Sequence, residues 1–191
     1  MGFDAIVLAG GTSARMGVDK LRENLDGRSL LDRVLDACAA ARRTVVVGPH
    51  RVTEREVVWA REEPPGTGPV AALAAGLAET SEPLVAVLAG DLGLMTPGAL
   101  ARLLAQAEGR DGVVYRDASG RDQYLAAVYA RRPLEERLGR LGDLEGMSMR
   151  MLVAGLDLAY VTGGDEVTDI DTPIDLDAAR SRAASRGRSD G

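Results

Sequence analysis

The fold is decided near the N-terminus by the stretch Leu8-Ala-Gly-Gly-Thr-Ser-Ala-Arg-Met-Gly-Val-Asp-Lys20. It follows the apolar run Ala5–Leu8, which predicts a buried parallel strand. Gly10 and Gly11 carry no side chain, so backbone N–H groups in this loop can approach an anion closely. A glycine loop directly after a buried strand predicts a binding site for the phosphates of a nucleotide.

Two cations, Arg15 and Lys20, lie in the same stretch. Arginine can bind two phosphate oxygens with its forked guanidinium, whereas lysine supplies a compact point charge. Lys20 is the only lysine among the 23 cationic side chains, which favours a specific contact over a chance lysine on an exposed loop. The predicted phosphate-binding residues are Leu8, Ala9, Gly10, Gly11, Thr12, Ser13, Arg15 and Lys20.

The loop differs from the two common glycine-rich fingerprints. It lacks G-x-G-x-x-G, and Leu21 follows Lys20 where the P-loop requires Ser or Thr. The spacing Leu-x-Gly-Gly, then Arg-Met-Gly, then Asp-Lys closely resembles the signature of nucleotidyltransferases with a GT-A-like Rossmannoid fold. Within that group it is most similar to the molybdenum cofactor guanylyltransferase, or MobA-like, branch. The resemblance implies that the loop backbone, Arg15 and Lys20 hold the triphosphate of the incoming nucleotide.

Length and charge limit the class of protein. A chain of 191 residues suffices for one domain with a sizeable core, which we expect to span residues 1–177. The Arg-, Ser- and Gly-rich residues 178–191 are predicted to form a disordered tail. The net charge of −6 argues against a general nucleic-acid or anionic-membrane surface. No stretch has the length of a membrane span, and the chain begins without a basic leader, so we expect a cytoplasmic protein.

Hydrophobic periodicity predicts strands that alternate with helices. The opening strand, loop, helix and strand form a βαβ unit, in which Ser29 caps the helix. Strands 112–115 and 124–129 should form a hairpin around the turn at 117–121. We therefore predict a single-domain Rossmannoid α/β fold, with a mostly parallel central sheet flanked by helices and an antiparallel excursion in the second half. Other predicted strands are 44–47, 57–60 and 84–91, and helices are predicted near 30–41, 69–78, 97–104, 131–141 and 148–154.

Asp91 ends the most apolar predicted strand, Leu84–Asp91. Mg²⁺ prefers hard oxygen ligands and binds through one or two carboxylates plus substrate phosphates. The resembled family has a metal-binding Asp in this place, so the resemblance implies that Asp91 binds Mg²⁺. The usual Asp-x-Pro of the family is Asp91-Leu92-Gly93 here, which affects the shape of the following loop.

A second acidic segment lies near the C-terminus, where Asp169-Ile-Asp171-Thr-Pro173 resembles the closing motif of the family. Asp169 and Asp171 share one side if the segment is extended. The resemblance implies that Asp171 is the second metal ligand beside Asp91. The alternative is that Asp171 caps the helix that Pro173 begins.

A Pro- and Gly-rich loop precedes the helix that begins at Pro69. In the resembled family, a Gly-Pro in the position of Gly68 and Pro69 closes one side of the base pocket. An upstream carboxylate accepts from the N1–H and exocyclic amine of guanine. Glu62 and Glu63 are both candidates for this carboxylate, and the alternative for each is a solvated acidic loop.

The second substrate would lie over the second half of the chain, where the resemblance is looser. Many family members carry a histidine in the strand that has Gln123-Tyr124-Leu125 here. Arg150 is a candidate for binding an anionic acceptor, with solvation at the surface as the alternative. His50, the only histidine, follows a strand at the edge where α/β sheets bind ligands, although a solvated loop position is the alternative.

The implied reaction is nucleotidyl transfer, with Arg15, Lys20 and Asp91 as catalytic residues and Mg²⁺ as cofactor. By resemblance, the nucleotide is GTP, the acceptor is molybdenum-carrying molybdopterin, and the product is a guanine dinucleotide cofactor. The expected partners are these small molecules and, transiently, molybdoenzymes or other cofactor-biosynthesis proteins, with no nucleic acid or membrane. The alternatives are a cytidylyltransferase for the same cofactor, a sugar-phosphate or isoprenoid-precursor nucleotidyltransferase, and a non-catalytic nucleotide-binding carrier.

Overall fold

A computed structural model describes residues 2–10, 19–168, 170, 175 and 177–179. Within this part of the chain, a seven-stranded sheet has the order β5-β4-β1-β6-β8-β7-β9. Its strands are β1 (Phe3–Leu8), β4 (Thr44–Val47), β5 (Val58–Ala60), β6 (Leu84–Ala89), β7 (Gly112–Arg116), β8 (Asp122–Ala130) and β9 (Leu158–Thr162). A small antiparallel hairpin, β2 (Asn24–Leu25) and β3 (Arg28–Ser29), lies outside that sheet.

Five helices flank the sheet in the same described residues: α1 (Leu30–Ala37), α2 (Pro69–Ala78), α3 (Pro97–Leu104), α4 (Arg131–Arg140) and α5 (Met149–Val153). Helices α1 and α3 begin with a side-chain cap. The hydroxyls of Ser29 and Thr96 accept hydrogen bonds from the backbone N–H groups of Asp32 and Ala99, at 3.0 and 3.1 Å. No described helix combines the length and apolar character needed to cross a bilayer.

The sheet directions confirm the predicted fold. Strands β5, β4, β1 and β6 pair in parallel, β8 runs antiparallel between β6 and β7, and β7 pairs in parallel with β9. The predicted hairpin is the β7–β8 pair, which gives the antiparallel excursion of the second half. The fold is thus a mostly parallel α/β sheet with helices on both faces.

The core lies in two layers because side chains alternate along each strand. On one face, Ala5 and Val7 of β1 pack with α1 and α3. On the other face, Ile6 packs with α2, α4 and α5. Gly76 lets α2 lie close to the sheet, since an added Cβ would be 2.7 Å from Cγ2 of Ile6.

Two features of the fold were not predicted from the sequence. Strand β9 is short and only partly buried, so it lacks the continuous apolar run of β1 or β6. The β2–β3 hairpin has two residues in each strand, too few for a periodic pattern.

The predicted tail begins within the described residues. Ala178 and Ala179 are helical, and the buried Ala179 belongs to a small apolar cluster with Leu25, Leu30 and Ile170. The packed part of the chain therefore extends at least to Ala179, because small apolar side chains suit a buried helix face. The remaining tail residues, 180–191, lie outside the described residues.

Candidate functional site

The candidate site lies at the carboxyl ends of four adjacent parallel strands. Gly10 follows β1, Arg51 follows β4, Glu62 follows β5 and Asp91 follows β6. Open α/β sheets bind ligands at this edge because the loops after neighbouring strands meet there. The topology therefore brings together residues that are up to 81 positions apart in the sequence.

Lys20 and Asp91 are in direct contact at this edge. The Nζ atom of Lys20 donates to Oδ2 of Asp91 at 2.8 Å, and the two side chains are 18% and 24% exposed. Lys20 begins a 3-10 turn, Lys20–Arg22, in which the buried Leu21 packs beside Gly90. A Cβ at Gly90 would lie 3.2 Å from Cδ1 of Leu21, so this glycine admits the turn next to the end of β6.

Oδ1 of Asp91 is buried and has no hydrogen-bond partner among the described residues. A buried carboxylate oxygen without a partner is costly, and a cation or a hydrogen-bond donor from a ligand would offset that cost. The described residues contain no group of three or more acidic, His or Cys side chains that could hold a metal. A single carboxylate oxygen fits Mg²⁺, because this ion completes its coordination with phosphates and water.

Glu62 and Glu63 have different environments. Glu62 is 7% exposed, its Oε1 accepts from the backbone N–H of Gly66 at 2.8 Å, and its Oε2 is buried without a hydrogen-bond partner in the described chain. Glu63 is exposed. A Cβ at Gly10 would lie 3.7 Å from Oε1 of Glu62, so this carboxylate lies beside the backbone that follows β1.

Gly68 and Pro69 form the start of α2, as predicted. Gly68 precedes the helix with a φ of 110°, and Pro69 occupies its first turn. The carbonyl of Thr67 accepts from the backbone N–H of Gly146 at 2.8 Å, which joins this loop to the segment before α5. The end of the Glu62 loop that precedes α2 is therefore held by a backbone hydrogen bond.

Gly48, directly after β4, lies against the backbone that follows β1. Ala9 donates its backbone N–H to the carbonyl of Val47 at 2.8 Å. A Cβ at Gly48 would lie 2.7 Å from the carbonyl carbon and oxygen of Ala9, and the φ of Gly48 is +148°. This role of Gly48 was not predicted from the sequence, because the contact with Ala9 depends on the pairing of β1 and β4.

Arg51 is a residue of this site that was not predicted from the sequence. It is 7% exposed, and Nε and Nη2 donate to Oδ2 and Oδ1 of Asp19 at 2.7 and 3.1 Å. Nη1 donates to the carbonyls of Ala9 and Pro49, both at 3.0 Å. The available signal was an arginine close after a strand at the ligand-binding edge of the sheet.

Comparison with known proteins identifies the family. Residues 5–159 match the family described as the MobA-like NTP transferase domain. This chain belongs to that family. Among curated relatives of the MobA-like chain, the probable molybdenum cofactor guanylyltransferase of Natronomonas pharaonis is 29% identical over 197 residues, covering 93% of this chain and 96% of the relative.

Solved structures share the fold of this MobA-like protein. One is molybdopterin-guanine dinucleotide biosynthesis protein A from Archaeoglobus fulgidus, with a TM-score of 0.74, 22% identity and coverage of 95% of this chain and 99% of the other. Another is 2-C-methyl-D-erythritol 4-phosphate cytidylyltransferase from Thermus thermophilus, with a TM-score of 0.73, 21% identity and coverage of 96% and 100%. At these identities the likeness establishes the α/β nucleotidyltransferase fold.

Membership of the MobA-like family makes this chain a nucleotidyltransferase. Of its predicted site residues, Lys20 and Asp91 are in direct contact. The other predicted residues of the loop, Gly11, Thr12, Ser13 and Arg15, lie outside the described residues, as do Asp169 and Asp171. Leu8, Ala9 and Gly10 are described: Leu8 ends β1 between Val47 of β4 and Ala89 of β6, and Ala9 and Gly10 follow it.

The residues considered for the second substrate, Arg150, Gln123 and Tyr124, lie on α5 and β8. Arg150 is exposed on α5, and Gln123 donates to Asp117. Tyr124 donates to Oδ2 of Asp122 at 3.2 Å, and partial burial raises the pKa of its phenol. His50 is exposed, with its ring centroid 4.8 Å from that of Trp59.

Proposed function

We propose that this MobA-like protein transfers the GMP moiety of GTP to a molybdopterin-type acceptor and releases pyrophosphate. The observation that carries the proposal is the contact of Lys20 with Asp91, which places a cation and a carboxylate beside the phosphate loop. Curated relatives named as probable molybdenum cofactor guanylyltransferases support the choice of nucleotide and acceptor.

In the proposed reaction, an oxygen of the acceptor phosphate forms a bond to the α-phosphorus of GTP. The bond between the α-phosphorus and the α–β bridging oxygen breaks, and its electron pair leaves with pyrophosphate. The acceptor phosphate is already anionic, so the protein needs no nucleophile or general base. Positioning and electrostatic stabilisation then provide the rate enhancement, as in other phosphoryl transfers.

Lys20 and Arg15 are proposed to bind the triphosphate and to neutralise charge as it develops on pyrophosphate. The partly buried position of Lys20 strengthens its interaction with phosphate relative to a fully solvated lysine. Asp91 would hold Mg²⁺, with Asp171 as the proposed second ligand. When bound, Mg²⁺ supplies additional neutralisation of the phosphate charges.

Glu62 is proposed to select guanine. The N1–H and exocyclic amine of guanine are adjacent donors that one carboxylate can accept. Oε2 of Glu62 is buried and available for such a donor, whereas Oε1 already accepts from Gly66. Cytosine offers an amine donor next to the N3 acceptor, and that lone pair would repel a carboxylate. A guanine base therefore satisfies the buried oxygen better than cytosine does.

Thermal stabilisation of the purified protein by GTP, CTP, ATP and UTP, each with Mg²⁺, tests the choice of nucleotide. A ligand that binds only the folded state adds about 2.7 kcal/mol at 100 times its dissociation constant. We expect selective thermal stabilisation by GTP. In a separate assay, we expect pyrophosphate release from GTP that requires the molybdopterin-type acceptor. Selective stabilisation by CTP would identify a cytidylyltransferase, and nucleotide binding without pyrophosphate release would identify a non-catalytic carrier.

A further inference from the structure

Arg51 contacts both ends of the segment that carries the phosphate-binding motif. Its guanidinium donates to the carbonyl of Ala9, at the end of β1, and to the carboxylate of Asp19, directly before Lys20. We infer that Arg51 is a positioning residue for the proposed nucleotidyl transfer, which holds the two ends of segment 10–19 together and thereby places Lys20 beside Asp91. This inference rests on the proposed function.

The geometry of Arg51 requires a guanidinium rather than a positive charge alone. Nε and Nη2 bind the two oxygens of Asp19 as a fork, while Nη1 reaches the carbonyls of Ala9 and Pro49. A lysine ammonium is a point charge without this planar set of donors. Because Arg51 is almost fully buried, each of these acceptors offsets part of the cost of removing its charge from water.

Asp19 connects Arg51 to Lys20, because Asp19 precedes Lys20 and its backbone takes part in the same 3-10 turn. The carbonyl of Asp19 accepts from the N–H of Arg22 at 2.9 Å, and the carbonyl of Lys20 accepts from the N–H of Glu23 at 3.0 Å. The Asp19 side chain does not cap this 3-10 turn, and both of its carboxylate oxygens accept hydrogen bonds from Arg51. Fixing Asp19 therefore fixes the first residue of the turn that presents Lys20.

The loop that carries Arg51 is itself anchored. The backbone N–H of Glu54 donates to Oδ1 of the buried Asp32 at 2.9 Å, and the Glu54 side chain forms an ion pair with Arg28. Before Arg51, Gly48 lies against the backbone of Ala9. Contacts with α1 and with the backbone after β1 therefore fix the loop that carries Arg51. A residue that positions another segment must itself be held in place in this way. The hydrogen bond from Arg51 also lowers the pKa of the Asp19 carboxyl, which keeps the partner charged.

The test compares Arg51→Gln, which removes the fork and the charge, with Arg51→Lys, which keeps only the charge. Arg22→Gln is the matched control, because Nε of Arg22 lies 3.4 Å from Oδ2 of Asp19 but this side chain is 67% exposed and its removal leaves the contacts of Arg51 in place. The measurements are kcat, KM for the nucleotide and KM for the acceptor. Asp19→Asn provides a second variant of the same contact if Arg51→Gln does not fold.

We expect both Arg51 variants to raise the nucleotide KM about tenfold or more, with the acceptor KM within about twofold of wild type. Loss of folded protein would lower the apparent kcat and leave both KM values unchanged, so these results separate positioning from simple destabilisation. Wild-type kinetics for Arg51→Lys, or equal effects of Arg22→Gln and Arg51→Gln, would overturn the inference.

A second readout does not depend on the proposed reaction. If the wild-type protein shows no turnover with any nucleotide, the proposed function fails, and amide hydrogen exchange decides the role of Arg51. We expect the Arg22 and Glu23 amides to exchange about tenfold faster in Arg51→Gln than in wild type or Arg22→Gln. Equal exchange rates in the three proteins would show that Arg51 does not hold the turn.

Discussion

The Nζ atom of Lys20 lies 2.8 Å from Oδ2 of Asp91, so the only lysine of the chain contacts the carboxylate at the end of the central strand β6. The two residues are 71 positions apart in the sequence. Their contact combines the cation predicted to bind the triphosphate with the carboxylate predicted to bind Mg²⁺. Substitution of either residue should therefore affect catalysis more than folding.

Replacing Asp91 with Asn should abolish turnover while leaving most nucleotide binding intact. The amide keeps the size of the side chain but loses the charge that Lys20 contacts and that Mg²⁺ requires. We expect kcat to fall by about a hundredfold or more, a size typical of removing one electrostatic group from an active site. Steady-state pyrophosphate release measures kcat, and titration calorimetry measures nucleotide affinity.

The matched control for Asp91→Asn is Asp157→Asn. Asp157 is 58% exposed and pairs with the exposed Arg110, so this change removes a surface ion pair worth about 0–1 kcal/mol. Turnover of the Asp157 variant should remain close to wild type. Unchanged turnover in Asp91→Asn would remove Asp91 from the catalytic site.

Replacing Lys20 with Arg should impair activity even though the charge is retained. Lys20 is fixed by the packing of Leu21 beside Gly90, and its compact ammonium reaches Asp91 from a largely buried position. The wider, planar guanidinium needs different space and different acceptors. We expect kcat/KM for the nucleotide to fall at least tenfold, measured by initial rates. Full activity would show that positive charge alone suffices, and Arg22→Lys in the same turn is the control.

The sequence predicted the parts of this site that depend on local pattern. Continuous apolar runs identified β1 and β6, and Gly10 and Asp91 follow these two strands, which are neighbours in the sheet. Glu62 and Glu63 are consecutive in a loop, so periodicity does not distinguish the buried side chain from the exposed one. The contact of Arg51 with Ala9 depends on the adjacency of β1 and β4, which no local sequence motif indicates.

Replacing Gly48 with Ala should destabilise the fold and weaken nucleotide binding together. The added Cβ would lie 2.7 Å from the Ala9 backbone, and the φ of +148° is strained for any residue with a side chain. Overpacking of this kind costs about 1–3 kcal/mol, in addition to the backbone strain. Urea unfolding measures the free energy of unfolding, and titration calorimetry measures nucleotide affinity.

Gly109→Ala is the control that separates the cost of backbone strain from the cost of the steric contact at Gly48. Gly109 also has a positive φ, +72°, but an added Cβ would meet nothing within 4 Å. We expect this control to lose about 1–2 kcal/mol from the left-handed backbone alone and to bind nucleotide normally. Equal losses in the two variants would show that the contact of Gly48 with Ala9 has no energetic consequence.

The Arg51–Asp19 contact also predicts a pH dependence of stability. The hydrogen bond from Arg51 lowers the pKa of the Asp19 carboxyl below its ordinary value of 3.8. A lowered pKa in the folded state means that the unfolded state binds the proton first as the pH falls. The stabilisation is therefore complete above the ordinary pKa and is lost as the pH falls through the lower, folded value.

Urea unfolding of wild type and Asp19→Asn at pH 7, 5, 4 and 3 measures this linkage. We expect the difference in free energy of unfolding between the two proteins to be constant from pH 7 to 5 and to shrink below pH 4. Because Asn does not titrate, other carboxyl groups contribute equally to both curves and cancel in the difference. A difference that stays constant down to pH 3 would contradict a lowered pKa for Asp19.

The two neighbouring glutamates provide the final prediction, which concerns base selection. Glu62→Gln replaces a buried acceptor oxygen with an amide that presents both a donor and an acceptor, whereas Glu63→Gln changes an exposed side chain of the same loop. A charged acceptor contributes about 1.5–3 kcal/mol to a hydrogen bond, so loss of the Glu62 carboxylate should weaken GTP binding by about tenfold to a hundredfold. CTP binding should tighten, since the substitution removes the repulsion between the Glu62 carboxylate and the N3 lone pair of cytosine. Titration of the two variants with GTP and CTP measures both effects. Equal weakening by Glu62→Gln and Glu63→Gln would show that neither carboxylate reads the base, because a specific contact must distinguish the buried side chain from its exposed neighbour.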